Sequence, residues 1–324
     1  MSVISLKHLT KTFRVYKKEP GLVGSLKSFF SREYFDVQAV NDISFSIDEG
    51  ELVGFIGPNG AGKTTTLKCL SGLVYPSSGD VNVLGFTPFE RKNEFLKKIS
   101  LVMGQKNQLW WDLPASESFL LNKEIYEIPD KKFKTTLSDL TELLDVSEIL
   151  DIQVRKLSLG QRMKCELISA LLHEPKILFL DEPTIGLDVV MQQNLRDFIK
   201  EYNRKYKATI ILTSHYMQDV KELCERIIVI DHGTILYDGS LNAVIKKFSP
   251  NKIISVVVNK KINKSEWEKL GTLKEFAFPS VKIEVPIADS RNIAAKVLNE
   301  YPVEDLNIEE PDIEEIIRRL FQNK

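Results

Sequence analysis

The run Gly57-Pro58-Asn59-Gly60-Ala61-Gly62-Lys63-Thr64 constrains this chain more than any other stretch of it. It satisfies G-x-x-x-x-G-K-[ST] and follows directly on the apolar residues Leu52, Val53, Phe55 and Ile56. Such a loop wraps a polyphosphate with consecutive backbone N–H groups. Glycine is needed where φ turns positive or where a side chain would collide with an oxygen. Lys63 adds a point charge for the β/γ-phosphates and Thr64 a hydroxyl for Mg²⁺, while a helix read from Thr65 turns its positive end to the anion. With a strand before it and a helix after it, the motif is a P-loop in its proper setting.

A second site follows the strand Ile177-Leu178-Phe179-Leu180, which is wholly apolar and ends in Asp181-Glu182. Alone, that ending is a solvated turn before Pro183. Beside a P-loop, Asp181 becomes a Mg²⁺ ligand and Glu182 the acceptor of a proton from an attacking water. Further strands are predicted at Ser2–His8, Val40–Ile47, Glu51–Ile56, Thr209–Thr213 and Arg226–Ile230, alternating with helical patterns. Continuous apolar runs such as ILFL and IIVI require strands covered on both faces. The expected fold class is therefore α/β.

Leu157-Ser158-Leu159-Gly160-Gln161 lies upstream of Asp181, and Gln105, Ile185-Gly186-Leu187-Asp188 and His215 complete an ordered set over residues 2–240. These motifs resemble the ATP-binding cassette family, whose signature usually reads Leu-Ser-Gly-Gly-Gln; Leu159 is the departure. The resemblance implies a P-loop ATPase domain with a helical subdomain that binds ATP and Mg²⁺. It implies that Ser158, Gly160 and Gln161 meet the ATP held by a second copy of the chain or a homologous ATPase. Asp188 would lie at that seam. By the same resemblance Gln105 senses Mg²⁺ and the attacking water, His215 touches the γ-phosphate, and Phe13 stacks on adenine, with Tyr16 as its rival. His8, His173 and His232 match no family position and read as structural.

Within the family, Gly104 to Pro114, a long insertion at about 17–39 and a small C-terminal domain resemble bacterial ATPases of exporter-type permeases. Polysaccharide and teichoic acid exporter ATPases carry a similar insertion and are the nearest alternative; a soluble, non-transport cassette is the more distant one. In the insertion Leu22, Leu26, Phe29 and Phe30 fall at helical spacing, with Lys27 and Arg32 opposite, which suits a partner-contacting helix or one packed on its own domain. Trp110 and Trp111 either receive the permease or pack inside the helical subdomain.

The chain's 324 residues suit two units, with a boundary expected near Ser240. Residues 241–324 read as a small α+β accessory or dimerisation domain with strands at Lys252–Val258, Val281–Val285 and Val303–Ile308, and helices at Asp289–Glu300 and after Pro311. In the last helix Ile313, Ile316, Ile317, Leu320 and Phe321 form a stripe that covers its own sheet or joins two copies. The 44 Lys and Arg against 45 Asp and Glu leave no basic field for a nucleic acid, so none is expected as a partner. Cys69, Cys165 and Cys224 fit neither a disulfide framework nor a zinc site. With no run of about 18 apolar residues, the chain is expected at the cytoplasmic face of a membrane through a separate permease.

Overall fold

The computed structural model describes residues 2–16, 34–104, 106–248, 251–309 and 313–322. The chain divides into two compact units, Met1–Asp238 and Gly239–Lys324.

The first unit runs β1 (Ser2–Tyr16), β2 (Tyr34–Asp48), β3 (Leu52–Ile56), α1 (Lys63–Leu70), β4 (Ser78–Val83), α2 (Asn93–Leu96) and β5 (Ile99–Met103). It continues through α3 (Ala115–Ile125), α4 (Asp130–Leu144), α5 (Leu159–Leu171), β6 (Ile177–Asp181), α6 (Val189–Tyr206), β7 (Thr209–Thr213), α7 (Met217–Leu223), β8 (Arg226–Asp231) and β9 (Thr234–Ser240). Six strands form one sheet in the order β5-β6-β7-β3-β8-β9, and a second, three-stranded sheet is ordered β2-β1-β4. Pairing is parallel from β5 through to β8. That explains why β6 and β7 are buried at every position and carry apolar runs rather than alternation. Side chains of both sheets share a core that includes Ile4, Leu6, Phe45, Phe55, Phe179 and Ile228.

Between β5 and β6 the helices α3, α4 and α5 form the helical insert. Phe133, Thr136, Leu140 and Leu144 of α4 are buried at helical spacing, and α4 contacts both α5 and α6.

The first hairpin is longer than its sequence suggests. β1 and β2 stay paired from Ile4↔Ile47 out to Tyr16↔Tyr34, so residues 34–39 belong to a strand and not to the insertion. Phe13, Val15, Tyr16, Tyr34, Phe35 and Val37 on this arm are all exposed, and burial, the usual marker of a strand, is missing there. The helical stripe Leu22, Leu26, Phe29 and Phe30 lies outside the described residues.

The second unit opens with α8 (Leu241–Phe248) and then runs β10 (Asn251–Val258), α9 (Lys264–Glu268), β11 (Thr272–Ala277), β12 (Ser280–Pro286), α10 (Ile287–Glu300), β13 (Val303–Glu309) and α11 (Ile313–Gln322). Its sheet is antiparallel in the order β11-β12-β10-β13, a split β-α-β-β-α-β arrangement. Ile254, Val256, Trp267, Ile283 and Val297 lie at its core. α11 packs on α8 and buries Ile316, Ile317 and Leu320 within the single chain. These three residues of the stripe are therefore covered within their own domain. The side chains of Ile313 and Phe321 lie outside the described ones.

Candidate nucleotide site

Parallel strands deliver their C-terminal ends to one edge, where ligands of open α/β sheets collect. Here β3 ends in the P-loop, β5 in Met103, β6 in Asp181 and β7 in Thr213. Met103 and Thr213 are each in register with Asp181.

The P-loop closes tightly at its base. A Cβ on Gly57 would stand 2.1 Å from the Ile230 carbonyl oxygen, so no other residue fits beside β8. Helix α1 begins at Lys63, two residues earlier than its sequence suggests. Lys63 reaches back over the loop and donates from Nζ to the carbonyls of Gly57 at 2.6 Å and Pro58 at 3.0 Å. It is only 5% exposed. Burial pushes its ammonium below the usual lysine range, against the opposing pull of the Glu182 and Asp181 carboxylates. Such a cation gains from a phosphate that replaces its carbonyl partners.

Asp181 is buried and satisfied on both oxygens: Oδ2 accepts from Thr64 Oγ1 at 2.8 Å and Oδ1 from Thr213 Oγ1 at 2.7 Å. A hydroxyl and a carboxylate joined directly make a hard oxygen donor pair of the kind Mg²⁺ takes alongside phosphates and water. No cluster of three or more His, Cys, Asp or Glu side chains suited to a metal occurs among the described residues. The donor set fits an ion that shares its shell with a nucleotide.

Glu182 sits next on the chain with φ +55°, a left-handed backbone that costs a non-glycine residue about 1–2 kcal/mol. Its N–H donates to the Thr213 Oγ1 at 3.0 Å and to the Thr213 carbonyl at 3.1 Å. Its Oε1 lies 2.6 Å from Nε2 of His215. The structure thus brings Lys63, Thr64, Asp181, Glu182 and His215 together. Gln105 lies outside the described residues; the neighbouring Gly104 N–H donates to the Asp181 carbonyl at 2.9 Å.

The remaining expected residues lie apart from this group. Ser158 is exposed and caps α5, which starts at Leu159 and not near Gln161. Gln161 donates its N–H to Ser158 Oγ at 3.2 Å, and its side-chain oxygen accepts from Ser158 N at 3.0 Å. The Gln161 side chain is thereby engaged in the cap. Gly160 is buried against Met191 of α6. Asp188 is exposed and caps α6, accepting from Met191 N at 2.9 Å. Phe13 pairs with Val37, two residues from Ala39, whose carbonyl oxygen would stand 2.5 Å from a Cβ on Gly62; Tyr16 is paired further out, with Tyr34.

A groove of about 390 Å³ opens between the first unit's sheet and the end of α3, lined among others by Leu73, Leu96, Leu101, Gln108, Ile125 and Tyr126. Trp110 and Trp111 do not line it. Both are exposed and not packed inside the helical insert, and Arg162 stands over the Trp111 ring at 5.5 Å. The groove wall is tied to α5 by a residue the motifs do not reveal: buried Glu166 accepts from Gln108 N at 2.8 Å and Leu109 N at 3.2 Å. Burial pushes its carboxyl above the usual range, against those two N–H groups. A carboxylate between Cys165 and Leu167 on an apolar helix was the available signal.

The family model described as ABC transporter matches residues 40–185, and one described as EvrA-like ABC transporter, C-terminal domain, matches residues 250–309. The linearmycin resistance ATP-binding protein LnrL of Bacillus subtilis (strain 168) is 30% identical over 88% of this chain and 92% of its own. The ABC transporter ATP-binding protein NatA of the same strain is 35% identical over 64% and 84%. Among solved structures, the dimeric ATP-binding cassette MJ0796, in a post-hydrolysis state with ADP and phosphate, shares the fold at a TM-score of 0.61. It is 23% identical, over 74% of this chain and 98% of its own.

Proposed function

Because this chain belongs to the ABC transporter family as one of its ATP-binding proteins, we propose that it hydrolyses ATP to drive export through a separate membrane permease. The observation that carries the chemistry is the meeting of Lys63, the Thr64–Asp181 pair and the Glu182–His215 pair at one sheet edge. The role of export rests on a relative: the Nod factor export ATP-binding protein I of Rhizobium sp. (strain N33) is 34% identical over 72% of this chain and 75% of its own.

In this reading the P-loop N–H groups and Lys63 hold the β/γ-phosphates. Thr64 and Asp181 hold Mg²⁺, which, when bound, neutralises developing phosphate charge. Glu182 orients the attacking water and takes its proton, and His215 fixes the Glu182 carboxylate and faces the γ-phosphate. Phe13 stacks on adenine, since it lies nearer the loop than Tyr16. Ser158, Asp188 and the backbone of Gly160 complete the ATP site of a second copy; the exposure of Ser158 and Asp188 supports this. Gln105 is assigned to the same site by family resemblance.

The permease is assigned to the groove beside α3, with Leu73, Ile125 and Tyr126 as its apolar contacts. No helix among the described residues is long and apolar enough to cross a membrane. The second unit is an accessory domain in this scheme, and the cytoplasmic face of the membrane is where the protein would work.

Glu182→Gln tests the reading, because the phosphate contacts stay while the proton acceptor is lost. Mg-ATP affinity should be retained and turnover should fall by about 100-fold or more. Steady-state hydrolysis close to that of the unaltered protein would remove Glu182 from the mechanism.

A further inference from the structure

Behind the Glu182–His215 pair lies a buried ionic cluster. Asp219 of α7 is fully buried, and its Oδ2 accepts from two hydroxyls, Thr184 Oγ1 and Ser214 Oγ, each at 2.6 Å. Its Oδ1 takes Nη1 of Arg196, on α6, at 2.8 Å. Arg196 is 4% exposed and is held in turn by Glu222 at 3.0 Å and Gln193 at 2.7 Å. A buried carboxylate of this kind persists only with a counter-charge and full hydrogen bonding, and both are present.

What matters is where the two hydroxyls sit on the chain. Thr184 follows Glu182 by two residues and Ser214 immediately precedes His215. The connections therefore close a ring: from Glu182 along the backbone to Thr184, across to Asp219, across to Ser214, along to His215, and back to Glu182 through the 2.6 Å contact. Glu182 has a left-handed backbone, which stays in place only when its surroundings over-determine it. Thr213 holds it directly from the strand side, and on the loop side Thr184, two residues on, is anchored to Asp219.

We propose that Asp219, charge-balanced by Arg196, is a positioning residue that sets the Glu182 carboxylate against the His215 ring by holding Thr184 and Ser214 on one oxygen atom. The proposal rests on the reading of Glu182 and His215 as the hydrolytic pair. Asp219 is fully buried and bonded to Thr184, Ser214 and Arg196, so it acts through the two loops. Releasing either hydroxyl lets one loop drift while the P-loop is untouched, so kcat falls and nucleotide affinity does not.

The test uses Thr184→Val and Ser214→Ala in the full chain, variants that leave the Asp219–Arg196 pair intact. Each should lower kcat about tenfold or more with an unchanged Kd for Mg-ATP, since small misplacements of reacting groups are costly. Thr184→Ser should restore turnover, because it keeps the hydroxyl. Ring nuclear resonances of the four histidines supply a reading independent of activity. In Thr184→Val the His215 signal should move while that of His173, held elsewhere, should not. Equal shifts at both histidines would mean general loosening and would overturn the proposal. Turnover lost in Glu182→Gln but untouched by Thr184→Val and Ser214→Ala would overturn it alone. Turnover surviving Glu182→Gln would overturn the reading of the site and this proposal with it.

Discussion

Leu159 lies against Gly186: a Cβ built on the glycine would stand 3.0 Å from Leu159 Cδ2. The signature helix and the loop that follows Glu182 thus touch within one chain, at the position where this sequence departs from the usual Leu-Ser-Gly-Gly-Gln. Gly186 also has φ +74°, so two costs meet there. The clash is with the free end of a flexible side chain, whereas the backbone penalty cannot be relieved by rotating anything.

Gly186→Ala should therefore lower the stability of the first unit by about 1–2 kcal/mol, most of it from the strained backbone. Adding Leu159→Gly should recover little of it. Chemical denaturation of the single and double variants measures both, and full recovery in the double variant would mean that the side-chain contact outweighs the backbone strain.

Lys63→Ala should act on binding. Charge-assisted hydrogen bonds contribute about 1.5–3 kcal/mol, so the Kd for Mg-ATP should rise roughly 10- to 100-fold. The Gly57 and Pro58 carbonyls lose their donor as well, but they lie beside the phosphate space and are open to water once the ammonium is gone. Titration with a fluorescent ATP analogue gives the number; an unchanged affinity would contradict the P-loop assignment.

The parts of the site that could be read from sequence are those in which a short segment carries its own chemistry. The loop Gly57–Thr64 needs its glycines and lysine whatever surrounds it, and Asp181-Glu182 stand at the tip of a strand too apolar to be exposed. Thr213 was out of reach, since its bonds to Asp181 and Glu182 exist only through the parallel register of β6 and β7. Glu166, Arg196 and Asp219 are charged residues whose partners lie many positions away, and sequence spacing does not report such approaches. The outer hairpin and β11 were missed for another reason. Apolar and polar residues do alternate on the hairpin, as the pairs Phe13↔Val37 and Arg14↔Asp36 illustrate, but both faces are exposed, so the pattern reports no core that would mark a strand.

His173 gives the first unit a pH dependence. Its Nε2 bonds the Ile99 carbonyl at 3.0 Å, its ring stacks on Tyr126 at 3.9 Å, and burial pushes it down from 6.5 to about 4. Between those values the unfolded chain takes up a proton that the folded chain refuses. Stability contributed by this group is therefore complete above pH 6.5 and is lost as pH falls toward 4, by about 2 kcal/mol between pH 7 and pH 5. His173→Gln keeps a donor for Ile99 without the titration. It should flatten that part of the stability profile, measured by urea unfolding at the two pH values, and an undiminished slope would assign the dependence to other groups.

The terminal helix decides what the second unit can do. Ile316, Ile317 and Leu320 are 1%, 4% and 8% exposed in a single chain, with α11 against α8, where Leu241 and Val244 are buried too. With Ile316, Ile317 and Leu320 covered inside one chain, truncation of the helix should damage folding before assembly. Ile316→Ala removes buried methyl groups and should cost about 2–5 kcal/mol, a large share of what a domain this small holds in reserve. Hydrogen exchange in the full chain should then show amides of α8 and α11 losing protection, while those of β6 and β7 and the affinity for Mg-ATP stay unchanged. If Ile316→Ala instead keeps full protection and shifts the protein from dimer to monomer in sedimentation, the stripe is an intersubunit contact and its burial within one chain is not its role.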